Sequence, residues 1–139
     1  SILDWAEQKG SKEIVILDGV AGIEHDDKAY CAAEEDLVRT MADKDISMIP
    51  QGFITGIPGG LLNECLVREI QGLTLLAKAN KIAPDSIAAA TVIEAVNRFY
   101  DMNIDTSGLK ADKDRISSEF SELSQKYVEH REATSGMYM

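Results

Sequence analysis

The stretch "TGIPGGLLNE" sets Thr55, Gly56, Gly59 and Gly60 where a predicted strand passes into a predicted helix. Free backbone N–H groups at a helix start hold anions, and glycine lets a ligand come close to the main chain. The chemistry on offer is therefore recognition of a phosphate or carboxylate by an anion or ligand loop. The spacing matches neither the P-loop, which needs Gly-Lys-Ser/Thr, nor the G-x-G-x-x-G fingerprint. Pro58 also removes one donor from the first turn. A tight turn that lets the helix pack closely on a sheet accounts for the same residues.

The acidic segment "EHDD" places His25 beside Asp26 and Asp27 in a loop after a buried strand, where α/β ligand sites usually lie. Adjacent loop residues seldom converge on one ion, and no second His or Cys group supports a metal, so the segment reads as a solvated loop. Glu34, Glu35 and Asp36 open a helix, where negative charge suits the macrodipole. Cys31 and Cys65 lack metal-like spacing and read as reduced, partly buried thiols. Neither has an obvious partner among His25 and His130, and no G-x-S-x-G elbow exists. These residues predict no catalytic centre, metal or cofactor.

Composition narrows the function further. The 139 residues carry 24 Asp+Glu against 14 Lys+Arg, a net charge of -10. That balance argues against nucleic acid, whose phosphates demand a basic face, and against docking on anionic membranes. No apolar run approaches the ~20 residues that span a bilayer. No basic n-region followed by an apolar h-region opens the chain, and the reduced thiols read as those of a cytoplasmic protein.

The elements that must position these residues alternate. "SILDWAEQKG" reads as a short helix capped by Ser1 and stopped by Gly10. Ile14 to Leu17 form an unbroken apolar run that suits a strand buried on both faces. "KAYCAA" suits a short strand, and "AEEDLVRTMADK" a helix with Leu37, Val38 and Met41 inward. "QGFITGIPGGLLNECLV" reads as strand, glycine turn and helix, and "GLTLLAKAN" as a second buried strand. "APDSIAAATVIEAVNRFYDM" is the clearest helix, capped by Asp85 or Ser86. Such alternation predicts an α/β fold with a mostly parallel sheet and flanking helices.

The last segment breaks the alternation. From Leu109 to His130 the pattern is one long polar helix whose apolar positions Leu109, Ile116, Phe120, Leu123 and Tyr127 form either a narrow coiled-coil seam or the inner face of a helix lying along its own domain. A polar stretch follows, and then Met137, Tyr138 and Met139 put three large side chains on the last positions. With so few strands, either the sheet is small or part of it lies upstream of Ser1 or in another chain.

Taken in order, "ILDWAEQKGSKEIVILDGVAG", "GFITGIPGGLLNE", "GLTLLAKANKIAPDSIAAATVIEAVNRFYDMNIDTSGL" and the charged terminal helix resemble the PAC2 family, which includes archaeal proteasome-assembly-chaperone homologues. The likeness runs from Ile2 to about Tyr127 and falls on the C-terminal part of the family domain. It implies a sheet fold related in shape to nucleoside phosphorylases, a homo-oligomer, and work with the 20S proteasome rather than turnover of a substrate. The resemblance also gives the ending a meaning. Archaeal homologues of this type carry a terminal hydrophobic–Tyr–any tripeptide, and Met137, Tyr138 and Met139 match it position by position.

The resulting expectation is an α/β domain over residues 1–108, a long helix over 109–130, and a flexible tail over 131–139. The expected function is a non-enzymatic proteasome assembly chaperone or regulator that docks on the 20S α-subunits through its last three residues. The alternative is a small-ligand enzyme of nucleoside-phosphorylase-like shape, with nucleoside or phosphate near Gly19 to Asp27 and Gly56 to Gly60.

Overall fold

The structure is a computed structural model that describes residues 1–21, 26–49, 54 and 56–137. It begins with α1 (Ile2–Gln8), closed by a capping box in which the Ser1 hydroxyl accepts from the Asp4 backbone and Asp4 reaches back to the N-terminal ammonium. Then follow β1 (Glu13–Ala21), β2 (Ala29–Ala33), α2 (Glu35–Ala42), β3 (Ser47–Met48), α3 (Gly56–Val67), β4 (Gln71–Ala79) and α4 (Ser86–Tyr100). Two helices close the chain, α5 (Ser107–Ala111) and α6 (Lys113–Met137).

The four strands lie in the order β1-β4-β2-β3. β4 runs parallel to β1 and antiparallel to β2, and β2 runs parallel to β3. The sheet is thus mixed and mostly parallel. Alternation of side chains across the strands sends Leu73, Leu75, Ala77, Ala29 and Cys31 into one core with Met41 of α2 and Ala88, Val92 and Ala95 of α4. The opposite face receives α1 and α3. There Gly72 allows α3 to settle on β4, since a Cβ at that position would stand 2.8 Å from the Cys65 Cβ.

β1 differs from the sequence expectation. Its apolar run suits a strand covered on both faces, yet β1 lies at the sheet's edge and Leu17 is 51% exposed. β4, with the same kind of sequence, is the covered one: Leu73, Leu75 and Leu76 are at most 1% exposed. β1 also extends through Ala21, into residues that read as loop.

The glycine segment differs as well. Gly56, Gly59 and Gly60 belong to the first turns of α3 rather than to a turn ahead of it. Thr55 and the expected strand over Gln51 to Phe53 lie outside the described residues. Gly56 has φ +70, a left-handed conformation that costs glycine little. At Gly59 a Cβ would stand 2.1 Å from the Ile54 carbonyl oxygen, so close approach of the chain to itself explains the residue.

Candidate functional site

Two regions of the fold hold the residues with chemistry to offer. The first is the terminal helix and what aims it. α4 starts at Asp85, whose carboxylate accepts from the Ala88 and Asn80 backbone N–H groups. It stops at Asp101, which takes the left-handed φ 52, ψ 47 of a helix terminator. The Asn97 side chain then both accepts from the Ile104 N–H and donates to the Ile104 carbonyl, each at 2.9 Å, which turns the chain back. Thr106 is buried and donates to Glu94 at 2.9 Å, and Lys110 pairs with the same carboxylate. The Lys110 ammonium first, and the Thr106 hydroxyl second, hold the Glu94 carboxyl below its ordinary range.

These contacts fix α5 on α4 and so fix the departure of α6. The single helix expected from Leu109 is two segments meeting at Asp112, which accepts from Arg115. α6 has 25 residues, about 37 Å at 1.5 Å per residue. Ile116 and Phe120 at its foot are half-buried, and every residue from Ser121 to Gly136 is exposed. The helix therefore leaves the domain and continues seven residues past His130, to Met137. Tyr138 and Met139 lie outside the described residues.

The second region is the carboxyl end of the β1–β4 pair. Lys78 is the lone charge in β4, and its Nζ pairs with Asp26 Oδ2 at 2.8 Å. The Tyr30 hydroxyl donates to the same oxygen at 2.5 Å, and the Lys78 ammonium sits 5.6 Å from the Tyr30 ring centroid. Asp26 is thus not the solvated loop residue of the sequence reading. Lys78 first, and Tyr30 second, hold its carboxyl low, and the Asp26 carboxylate in turn raises both Tyr30 and Lys78. Raised Tyr30 and Lys78 stay protonated, so the cluster supplies no base at neutral pH. The sequence signal for it was a single lysine closing a buried apolar strand, which calls for a carboxylate.

On the other face of the same strand ends lies an open cavity of about 390 Å³ between Leu17, Gly19 and Ala79 of the sheet and Ala89, Val92 and Ile93 of α4. Among the described residues no three His, Cys, Asp or Glu side chains converge as a metal site. No described helix is long and apolar enough to cross a membrane. Burial raises the thiols of Cys31 and Cys65, both unbridged.

Comparison with known proteins places this geometry. A protein of unknown function from Thermoplasma acidophilum superposes with a TM-score of 0.75 at 29% identity, over 96% of this chain and 55% of its own length. PbaA of Pyrococcus furiosus, an archaeal homolog of proteasome-assembly chaperone, superposes with a TM-score of 0.74 at 20% identity, over 99% of this chain and 59% of its own. PbaB of the same organism, an archaeal proteasome activator, gives 0.72 at 24% identity, over 88% and 55%. This chain therefore spans rather more than half the length of each of these relatives. The PAC2 family profile matches residues 1–124, the whole sheet with its helices and the foot of α6, and the chain belongs to the PAC2 family.

Proposed function

We propose that this chain is a proteasome assembly chaperone or proteasome-binding regulator, that it is not an enzyme, and that it works in the cytoplasm as a homo-oligomer. Its docking element is the terminal tripeptide Met137, Tyr138 and Met139. The observation that carries the reading is α6, a helix that runs clear of a PAC2 domain and leads straight into that tripeptide. Relatives of the same fold include a homologue of a proteasome-assembly chaperone and a proteasome activator.

The chemistry of the ending suits a pocket between 20S α-subunits. The Met139 α-carboxylate pairs with a lysine, the Tyr138 ring gives a large apolar contact with a polar tip, and the Met137 thioether adapts to an apolar niche. A single tail pays to be ordered and binds weakly, whereas several tails on one oligomer gain about 10²–10⁴ in avidity without new contacts. Mixing the protein with 20S proteasome, or with isolated α-subunits, tests the proposal. Binding is lost in Tyr138→Ala and in a chain lacking Met137 to Met139; equal binding by the truncated chain overturns the docking role.

A second reading has one observation in its favour, the cavity between β1, β4 and α4 at the carboxyl ends of two parallel strands. In it the protein binds a small ligand such as a nucleoside or phosphate in that cavity, whose described lining does not include Gly56, Gly59 or Gly60. A thermal shift with nucleosides and phosphate, abolished by Ala89→Phe at the exposed cavity wall, supports that reading; no shift with any of them removes it.

A further inference from the structure

α6 presents an apolar seam that its own domain covers only at the foot, where Ile116 and Phe120 are half-buried. Ile116, Phe120, Leu123 and Tyr127 are spaced 4, 3 and 4, so they occupy the d, a, d and a positions of a heptad. Leu123 is 66% exposed and Tyr127 is 64% exposed. A helix without tertiary contacts is marginal in water, and a seam of this spacing is satisfied by an identical seam. We propose that α6 pairs antiparallel with α6 of a second copy of this chain.

The flanking charges select the direction. With Phe120 and Tyr127 at a, the g positions are Glu119 and Lys126, and the e positions are Ser117, Ser124 and Arg131. A parallel pair sets g against the next e of its partner, which brings Lys126 against Arg131 of the second copy, twice by symmetry. An antiparallel pair sets g against g. It stacks Ile116 on Tyr127 of the second copy and Phe120 on Leu123 of the second copy, and Glu119 then faces Lys126 of the second copy, again twice. Like charges are removed and opposite charges gained in the same step. Glu119 already bonds Arg115 through Oε1 at 3.0 Å and keeps a second carboxylate oxygen for the lysine. Lys126 has no ion partner among the described residues. The serines at e are small and neutral and let the helices approach.

The occupant is a second copy rather than a different partner because the seam, its layers and its charges all complete themselves under a two-fold axis. Pairing sends the two terminal tripeptides in opposite directions. Tails that act together on one docking surface then come from neighbouring pairs. The pairing does not depend on proteasome binding, and its test contains no proteasome, so either proposal can fail without the other.

Sedimentation equilibrium of the full chain, with circular dichroism as a check on helix content, provides the test. The wild type self-associates with concentration, and Leu123→Glu weakens association at least about tenfold. Lys126→Glu weakens it about fivefold by putting two Glu–Glu contacts at the interface, and adding Glu119→Lys restores it to within about twofold. A parallel pair gives the opposite sign, because Lys126→Glu would relieve repulsion by Arg131 and tighten association. A second readout is independent of any interface through the domain. Ser117→Cys chains mixed with Ser124→Cys chains join through a short bis-maleimide cross-linker more readily than either does with itself. Unchanged association in Leu123→Glu, tighter association in Lys126→Glu, or preferential self-linking of either cysteine variant overturns the proposal.

Discussion

Tyr100 donates its hydroxyl hydrogen to Glu13 Oε1 at 2.5 Å, which fastens the last residue of α4 to the first residue of β1. The bond spans most of the sheet's sequence and ties the helix that aims the terminal segment to the edge strand. Burial first, and the Glu13 carboxylate second, raise the Tyr100 phenol, so it remains a donor across the ordinary pH range. Tyr100 also meets Phe99 edge-on, with centroids 4.7 Å apart, and that packing survives loss of the hydroxyl. Tyr100→Phe therefore lowers stability by about 1 kcal/mol in urea denaturation, with no change in m-value.

Four described carboxylates are held low, Asp4, Asp26, Glu94 and Asp105, and of these Asp26 and Glu94 tie elements of the fold together and make it sensitive to acid. Each has a folded pKa below its unfolded value, so each contributes stability that is fully present above the unfolded pKa and lost as pH falls through the folded one. With unfolded values near 4, the loss starts at about pH 4 and continues below it. Lys78 carries the opposite sign, because its pKa is raised: its contribution is present at neutral pH and lost as pH rises past about 10.5. Lys78→Met and Lys110→Met remove the partners, and each flattens the acid limb of a stability–pH curve measured by chemical denaturation.

Gly59 and Gly60 are neighbours in α3 with opposite expectations. A Cβ at Gly59 meets the Ile54 carbonyl oxygen at 2.1 Å, whereas a Cβ at Gly60 meets nothing within 4 Å. Gly59→Ala forces the backbone apart and costs on the order of 2 kcal/mol or more. Gly60→Ala removes unfolded-state entropy from an exposed helical position and stabilises by about 0.5–1 kcal/mol. Melting temperatures of the two variants fall on opposite sides of the wild type.

The thiols give a direct measure of opening. Cys31 is 0% and Cys65 is 1% exposed, and burial is the leading cause that holds each in the protonated form. Both react slowly with an aromatic disulfide reagent in the native protein and rapidly in denaturant. Cys65 sits where α3 meets Gly72, so its native rate rises in Gly72→Ala, a change that pushes a methyl into the Cys65 side chain. Cys31, on the other face of the sheet, keeps the wild-type rate unless the whole fold is loosened.

Legibility varied with how local the signal was. The alternation of strands and helices, the Ser1 and Asp85 caps, and the inward Met41 were readable because each is decided within a few residues. The ranking of β1 below β4 was not, because a run of apolar residues reports what could be buried and not how many neighbours the strand finds. Asp26 was misread for a related reason: its partner Lys78 is brought to it by the pairing of β2 with β4, far along the chain. At the glycine segment the residue types allowed either a ligand loop or a tight turn, and at Gly59 the chain's own carbonyl stands in the space a side chain would need. The end of α6 was placed too early because "EATSG" contains poor helix formers, yet the helix runs through them to Met137.

The strand order has a consequence for synthesis. β4 holds β1 on one side and β2 on the other, and of the three pairings only β2–β3 can form without it. It is also the last of the described strands to leave the ribosome. About 60 residues separate the end of β1 from the end of β4, so at 5–20 residues per second β1 waits roughly 3–12 s for its partner. Throughout that interval Ile14 to Leu17 lack β4, their partner among the described strands. A nascent strand kept from its partner is open to aggregation, and a slower codon run between β1 and β4 would lengthen the wait.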